Sequence, residues 1–404
     1  MPQLTEPLAI TAARVVTPTA VLEHGTLVME SGRIREVLPA GRSPDGPASR
    51  LDLGDATLLP GFIDLHVHGG GGWRVGADTH LLGMREAPHR PLVELSRFLA
   101  TTGVTGFLPT LSTAPAADML NTVQAAAGLV GEDVPGASVL GTHLEGPYIN
   151  ALEKGAQRPE LIRPPSREEF APLLEAARGT RLYVTLAPEV EGALEFITWL
   201  AGEGVFVSAG HTDATEEQMQ RAHEAGLAGV THLFNAMRGV HHREPGAVGW
   251  ALAHPTVWTE LIGDGVHVNP TVMRLTLRAR GADKVALVTD AGAFTGLPDG
   301  VYDEGYRVVT VAGGRCTLES GALAESVSPM SRNCLVLREE VGASWEEVAS
   351  MTSLVPATML GLRSRKGSLE PGKDADVAAL GTDGEVLLTT VGGRIVHRAS
   401  ASAV

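Results

Sequence analysis

The sequence predicts an α/β chain: a TIM-like (β/α)8 barrel carrying a small β-sandwich domain built from both chain ends. Three observations predict it. Apolar β-rich runs alternate with amphipathic helical stretches through the middle of the chain, the β-rich runs number eight, and short strands punctuated by turns fill the two ends. With 404 residues, 44% hydrophobic and 20% charged, the chain can bury a large core, which excludes disorder, a collagen-like repeat and a disulfide miniprotein.

The first end, residues 8–60, reads as short strands (ITAARVVTP, GTLVMESGRI, REVLPA, ATLLPG) without a helical stretch, and the texture returns at 366–404 in KGSLEPGKDADVAAL and GGRIVHR. The expected division is therefore a sandwich from 1–60 and 362–404 and a barrel over 61–361. Expected barrel strands are 62–68, 105–109, 139–145, 182–186, 205–211, 229–233, 258–262 and 285–290. Helical periodicity marks 90–102, 115–129, 167–177, 194–203 and 216–225. The run Gly69–Gly72 marks a tight loop after the first strand.

Lys and Arg number 32 against 47 Asp and Glu, a net charge of −15, and no basic run is segregated, so nucleic acid is excluded as an expected partner. Residues 1–13 lack the basic stretch of a signal peptide and no run of about 18 apolar residues occurs, so no membrane partner and a cytoplasmic location are expected. Cys316 and Cys334 have no CxxC spacing and no neighbouring histidine. They read as ordinary small side chains in a reducing compartment.

The chemistry concentrates at strand ends. In PGFIDLHVHG, the two-residue period of a strand sets His66 and His68 on one face at its C-terminal end, where two neutral nitrogen donors aim at one spot. Polar groups recur where other apolar runs end: Glu145 in THLEGPY, His211 in SAGHTDA, His232 in VTHLFNAM and Asp290 in LVTDAG. In a barrel those ends converge on one mouth. Four imidazoles and two carboxylates suit zinc or another borderline divalent ion, such as Fe2+, Mn2+ or Co2+, in one or two copies. The chain's lysines are Lys154, Lys284, Lys366 and Lys373, and none ends the fourth strand, RLYVTLAPE, so a modified lysine cannot bridge two metals there; Glu145 is the bridging candidate.

His24, His80, His89, His223, His254 and His397 lie away from strand ends and read as surface or internally satisfied side chains. His143 shares Glu145's face and is expected to support a ligand rather than be one. A second group suits an anion: Asn235-Ala236-Met237, then HHREPG with Arg243, then DGVH with His267. The Arg243 guanidinium offers a planar fork to a phosphate or carboxylate, and His267 can donate a hydrogen bond.

At these residues the chain resembles the amidohydrolase superfamily, and within it the family that deacetylates phosphorylated amino sugars. The resemblance spans nearly the whole length through PGFIDLHVHG, LPTLST, HLEGPYIN, VTLAPE, GHTDA, THLFNAM, HHREPG, DGVH and VTDA in the family's order. It implies hydrolysis of the acetamide of N-acetylglucosamine-6-phosphate, a β-sandwich beside the barrel, and a homodimer with the phosphate pocket close to the subunit interface. It also implies roles: Glu145, His211 and His232 match the family's most constant metal site, and His66 and His68 match a second site that only some members retain. Asp290 matches the catalytic acid/base; Asn235, Ala236, Arg243 and His267 match substrate and phosphate contacts, and Gly146 falls beside them in HLEGPYIN. The chain departs from the pattern at Gln157, where the family has a histidine that polarises the scissile carbonyl. It departs again at Trp73-Arg74 and on to Pro88, at Glu325 in LAES, and at Val355-Pro356. The alternatives are a related hydrolase of another N-acyl amino sugar (N-acetylgalactosamine-6-phosphate, for example) or of an N-acyl amino acid, and a non-catalytic barrel kept as a binding module. The full set of ligand and acid/base positions argues against the last.

Overall fold

A computed structural model of the chain describes residues 6–76, 89–305 and 307–400. His80 and the stretch 77–88 of the departing loop lie outside the described residues, as do 1–5 and 401–404 of the expected sandwich segments.

Eight parallel strands form the barrel: β1 Phe62–Val67, β2 Val104–Ser112, β3 Gly141–Glu145, β4 Arg181–Leu186, β5 Phe206–Ala209, β6 Gly229–Val230, β7 Trp258–Ile262 and β8 Val285–Val288. They pair in that order, each with the next. Closure of β8 onto β1 falls just past the strand ends. Asp290 N donates to His66 O at 2.9 Å and His68 N to Ala291 O at 2.8 Å. Helices α1 His89–Ala100, α2 Ala116–Ala127, α3 Arg167–Ala176, α4 Ala193–Gly202 and α5 Glu216–Glu224 follow the expected periodicity. Their buried faces (Leu95, Val123, Leu173, Phe196, Met219) cluster with the outward residues Val184, Val207, Val230, Leu261 and Leu287 of the strands. Beneath the barrel, Val355, Ala357, Leu360 and Leu362 cluster with Ile63, Leu140 and Tyr183, so the departing Val355-Pro356 belongs to packing at the end away from the mouth.

The chain ends form two further sheets. One joins Leu8–Thr11, Thr26–Glu30, Arg33–Leu38 and Ser49–Asp52; the other joins Arg14–Val16, Val21–Glu23, Thr57–Pro60, Val377–Leu380, Val386–Val391 and Arg394–Arg398. Ile10, Leu27 and Met29 of the first pack with Leu58, Val377 and Leu388 of the second in a separate apolar core, which makes the pair a sandwich.

Several features escaped the periodicity, among them the helical run from Met330 to Met359. The helices Gly246–Ala253 and Pro270–Arg280 were not expected; the first buries Ala247, Val248, Trp250 and Ala251, so it has little polar face to set a pattern. After β8 the chain also builds a four-stranded antiparallel insert, Gly300–Asp303, Val308–Ala312, Arg315–Leu318 and Leu323–Glu325. Its signal is VVTVAGGRCTL, alternation across a Gly313-Gly314 turn with both glycines at positive φ. Among the described residues, no helix is long and apolar enough to cross a membrane. Cys316 and Cys334 are buried and free, and burial pushes both thiols up, that of Cys316 to about 12.

Candidate metal centre and substrate pocket

The strands end sooner than the sequence implies, and that shortening builds the site. β5, β6 and β8 stop at Ala209, Val230 and Val288, each two residues before its polar group. His211, His232 and Asp290 then adopt left-handed backbone at φ 50°, 31° and 49°. Such conformations cost a non-glycine residue about 1 kcal/mol or more, and here they turn each side chain back over the mouth instead of along the strand. Phe234 and Ala236, in the turn after His232, are also left-handed.

The result is a buried knot of donors. His211 Nε2 and His232 Nε2 each lie 3.0 Å from Glu145 Oε1 and 3.2 Å from each other. His66 Nε2 lies 3.1 Å from His68 Nε2, and Asp290 Oδ1 is 3.4 Å and 3.1 Å from these two nitrogens. Glu145 spans both sets, with Oε1 3.4 Å from His66 Nε2 and Oε2 3.4 Å from His68 Nε2. All five ligands expected from the sequence, with Asp290, thus meet in two adjacent groups, Glu145–His211–His232 and His66–His68–Asp290, and His66 also closes a third with His143 and Glu260.

The outer nitrogens show what the inner ones are for. His211 Nδ1 faces Glu153 O at 2.8 Å, His68 Nδ1 faces Thr110 O at 3.1 Å, and His66 Nδ1 faces Glu260 Oε2 at 3.0 Å. An acceptor at Nδ1 requires a proton there, which leaves the Nε2 lone pair of a neutral ring pointing into the knot. Lone pairs converging within 3.2 Å repel unless a cation lies among them, and the mixture of imidazole and carboxylate is the donor set of zinc and similar divalent ions. The residues therefore fit a metal centre. Burial pushes the Glu145 carboxyl up, but His211 and His66 outweigh it and hold it well below the ordinary carboxylate range. Asp290 is likewise lowered, His66 and His68 outweighing burial.

Three buried residues of this network were not identified from sequence. Glu260, on β7, holds His66 and accepts from His232 N at 3.3 Å; its signal was one carboxylate inside the apolar run TELIG. Asp64 accepts from the Thr289 hydroxyl and amide and so ties β1 to the end of β8; burial raises its carboxyl to about 7. His143 Nε2 lies 2.8 Å from the Thr185 hydroxyl and His143 Nδ1 lies 3.0 Å from Leu65 O. Burial, then the charge of His66, pushes His143 down to about 3, so it packs beneath the site as a neutral ring, as expected. His24, His89, His223, His254 and His397 are exposed or half-buried and away from the site, also as expected.

A cavity opens above the knot, lined by His68, Glu145, His211, His232 and Asp290 and also by Gln157, Asn235, Ala236 and His267. Gln157 Oε1 accepts from Thr113 N at 2.7 Å, which directs its amide nitrogen to Glu145 Oε2 at 2.7 Å. The glutamine that replaces the expected histidine thus donates to a metal-ligand candidate. Gly146 does not line the cavity; it turns the chain at φ +92°, where a Cβ would meet Thr113 Oγ1 at 2.4 Å. Arg243 does not line it either. It sits on an exposed turn, its guanidinium 2.8 Å from His242 Nε2. The guanidinium groups that do line the wall are Arg74, Arg158 and Arg307.

Two departures from the family pattern touch each other. Arg74, in the hairpin Gly69–Gly70 to Trp73–Arg74, donates to Glu325 Oε2 at 2.9 Å, as does Arg307, and both arginines also pair with Glu304. Glu325 and Glu304 are buried, and Ser326 pairs with the Asp290–Gly292 loop. The quartet therefore fastens the loop after His68 and the loop after Asp290 to the insert. Removing one carboxylate from it leaves buried positive charge under-compensated, so Glu325→Ala is expected to lower unfolding free energy by about 3 kcal/mol in a urea melt. Burial raises the Glu325 carboxyl but Arg74 and Arg307 outweigh it, so its folded pKa is depressed. Its contribution is present above the unfolded value of 4.5 and is lost as pH falls through the depressed folded value. The variant's deficit should shrink in acid; a deficit constant with pH would refute the pairing.

His267 lines the cavity and is paired with Asp264. Asp264 takes its Nδ1 proton at 2.6 Å and also caps His267 N and Val266 N. Burial lowers the imidazole's pKa, but the hydrogen bond and charge of Asp264 outweigh it and raise it above 6.5; the same pair lowers Asp264. The pair is intact between the depressed Asp264 value and the raised His267 value, and it weakens as pH rises through the latter. Over that range His267 keeps a positive charge facing the cavity.

Residues 57–396 match the family model described as "Amidohydrolase family". The chain is 39% identical over 397 residues to the N-acetylglucosamine-6-phosphate deacetylase of Bacillus subtilis, covering 97% of this chain and 98% of that protein. It is also 39% identical over 373 residues to the N-acetylgalactosamine-6-phosphate deacetylase of Escherichia coli O157:H7, covering 91% of this chain and 94% of that protein. Among solved structures, an N-acetyl-D-glucosamine-6-phosphate deacetylase variant from Mycobacterium smegmatis, in complex with N-acetyl-D-glucosamine-6-phosphate, superposes with a TM-score of 0.87 at 34% identity. The superposition covers 97% of this chain and 99% of that one. Barrel, sandwich, strand-end ligands and near full-length similarity converge, and the chain belongs to the amidohydrolase family.

Proposed function

We propose that the chain hydrolyses the acetamide of N-acetylglucosamine-6-phosphate to glucosamine-6-phosphate and acetate. The observation that carries this reading is the pairing, in one cavity, of the donor knot with the Asp264-bound His267 and the Asn235-Ala236 turn, on a chain 39% identical to a deacetylase of that sugar. Glu145, His211 and His232 would hold one divalent cation and His66, His68 and Asp290 offer a second position; Zn2+ suits the donors best, and Fe2+, Mn2+ or Co2+ fit them too. A cation held there supplies Lewis-acid polarisation of the acetamide carbonyl and makes an attacking water acidic near neutral pH.

The protein's own part is positioning and proton transfer. Asp290, ionised and at the cavity floor, accepts the proton of the attacking water and returns it to the departing amine nitrogen, so that one group serves as base and then acid. Glu145 bridges the ligand sets, and Gln157 keeps its carboxylate oriented through their hydrogen bond. The cationic His267 receives the sugar's phosphate, remote from the bond that breaks, so that phosphate binding energy orients the amide.

The donor chemistry and the sequence resemblance also support three coarser assignments. A homodimer would cover the exposed apolar Leu152 and Val240, on loops that carry site residues, and would bring Arg243 to a phosphate pocket near the interface. A charged sugar phosphate stays on the side of the membrane where it is made, which makes the cytoplasm the working compartment. The sandwich and barrel are divided at 60/61 and near 361/362, on the connection between Leu362, which still packs in the barrel-base cluster, and Leu369, in the sandwich core.

Acetate release from N-acetylglucosamine-6-phosphate, its galacto epimer and unphosphorylated N-acetylglucosamine by metal-loaded protein tests the reading. Release is expected to be fastest with the gluco phosphate and to be abolished by chelation. KM for the phosphorylated sugar should rise several-fold as pH passes the raised His267 pKa, with the unphosphorylated sugar unaffected. Equal turnover of both sugars at every pH would refute the phosphate assignment, and no release at all would refute the substrate.

A further inference from the structure

One carboxylate outside the cavity joins the loops that carry the site. Glu189, at the end of VTLAPE after β4, is half-buried and does not line the cavity. Its Oε1 accepts from Asn150 Nδ2 at 2.8 Å and from Asp213 N at 2.7 Å, and its Oε2 accepts from Thr212 Oγ1 at 2.5 Å. All three donors are uncharged. They come from the loop after β3 and the loop after β5.

Each partner is fastened in turn to a residue of the site. Asn150 N donates to His211 O at 3.0 Å, and Asn150 Oδ1 caps the turn Ala151–Glu153, whose Glu153 O faces His211 Nδ1 at 2.8 Å. On the other side, Thr212 N donates to Ala236 O at 3.1 Å and Arg238 N donates to Thr212 O at 3.3 Å, while Asp213 holds the Arg238 guanidinium at 2.7 and 2.8 Å. The loop after β6 is thereby tied in as well. His211 and Ala236 both adopt left-handed backbone, at φ 50° and 49°. A non-glycine residue stays in that region only where its surroundings over-determine it. Here the hydrogen bonds to the carbonyls of both residues come from Asn150 and Thr212, the two residues whose side chains Glu189 binds. An acceptor-only side chain suits the position, because an N–H group would face the Asn150 and Asp213 donors.

We propose that Glu189 is a positioning residue that sets His211 and the Asn235-Ala236 turn as one unit, holding the turn that receives the sugar phosphate in register with the metal centre. The inference rests on the metal-dependent hydrolase reading above, and its metal half does not depend on the identity of the sugar.

Glu189→Ala, Glu189→Gln and Thr212→Val compared with wild type test it, each first shown by circular dichroism and melting to be folded at the assay temperature. With Zn2+ saturating, Glu189→Ala is expected to raise KM for N-acetylglucosamine-6-phosphate about tenfold and to leave kcat within about threefold, since the Asp290 loop is held elsewhere. In competition with a chromophoric chelator, which needs no substrate, its Zn2+ affinity should fall about tenfold. Glu189→Gln can present its oxygen to Asn150 and Asp213 and its amide to the Thr212 hydroxyl, so it should recover most of both losses. Thr212→Val removes the link to Oε2 and should raise KM too; added to Glu189→Ala it should cause little further loss, since the two act through one bond. A group that only stabilises the fold would lower the melting temperature and leave KM and Zn2+ affinity of the folded enzyme unmoved. That result in Glu189→Ala would overturn the proposal, as would the same result in Thr212→Val where Glu189→Ala does not fold, or strictly additive effects of the two. If wild type releases no acetate, the substrate reading fails while the Zn2+ affinities still decide whether Glu189 positions His211. If wild type and Glu189→Ala release acetate with equal KM and bind Zn2+ equally, the positioning role fails and the deacetylase reading stands.

Discussion

Asp290→Asn is expected to lower kcat for acetate release by about 10³-fold or more while leaving KM within a few-fold of wild type. Asparagine matches aspartate in size, so the chain should fold as before. The left-handed turn at residue 290 is held by backbone contacts, its amide to His66 O and its carbonyl to Ser326 N, that do not involve the side chain. The Glu145–His211–His232 group does not include residue 290 and should keep its ion. What is lost is the ability to accept a proton from water and hand it to the amine, because an amide is neither a base nor an acid at neutral pH. Thermal melting, metal content and steady-state kinetics on one preparation check each part. A variant that turns over normally would refute the acid/base role, whereas one that loses all metal would show that Asp290 acts mainly as a ligand.

The site was more legible in the sequence than the structure around it, for a physical reason. A parallel strand buried on both sides reads as an apolar run, so the polar residue that ends it stands out, and barrel closure brings those residues to one mouth whatever lies between them. His211, His232 and Asp290 could therefore be identified even though their strands stop two residues early; the left-handed turns that aim them leave no mark in a hydropathy pattern. Glu260 was missed for the opposite reason. It lies within an apolar run and looks like an interruption until His66, nearly 200 positions away, is brought against it. Arg243 illustrates a third limit. Residue chemistry suits it to a phosphate, but whether it faces a phosphate depends on a turn, and in the proposed dimer on a second subunit, that no local pattern encodes. The antiparallel insert carried a clear hairpin signal in VVTVAGGRCTL, and the expectation of an uninterrupted barrel masked it. Its consequence is chemical, since Glu325 at its end fastens to Arg74 and the Asp290 loop.

Glu145→Gln is expected to be the most damaging single change, abolishing metal-dependent activity and reducing bound metal to less than one ion per chain. Glu145 is the group shared by the two ligand sets: Oε1 lies within 3.4 Å of His66, His211 and His232, and Oε2 lies 3.4 Å from His68. Glutamine removes its charge and, because Gln157 already directs an amide nitrogen at Oε2 from 2.7 Å, forces either two N–H groups together or an amide donor into the knot. The stability consequence has a definite sign. Without metal and despite its burial, the Glu145 carboxylate is still held below its ordinary range by His211 and His66 and so contributes to stability near neutral pH, and the stripped variant should be less stable than stripped wild type. Adding Zn2+ at about 100 times its Kd should then stabilise wild type by about 2.7 kcal/mol and leave Glu145→Gln almost unmoved. Melting curves of both proteins with and without Zn2+ decide it. An equal upward shift in the two would mean that the ion is held chiefly by the imidazoles, and Glu145 would have to be reassigned from bridge to bystander.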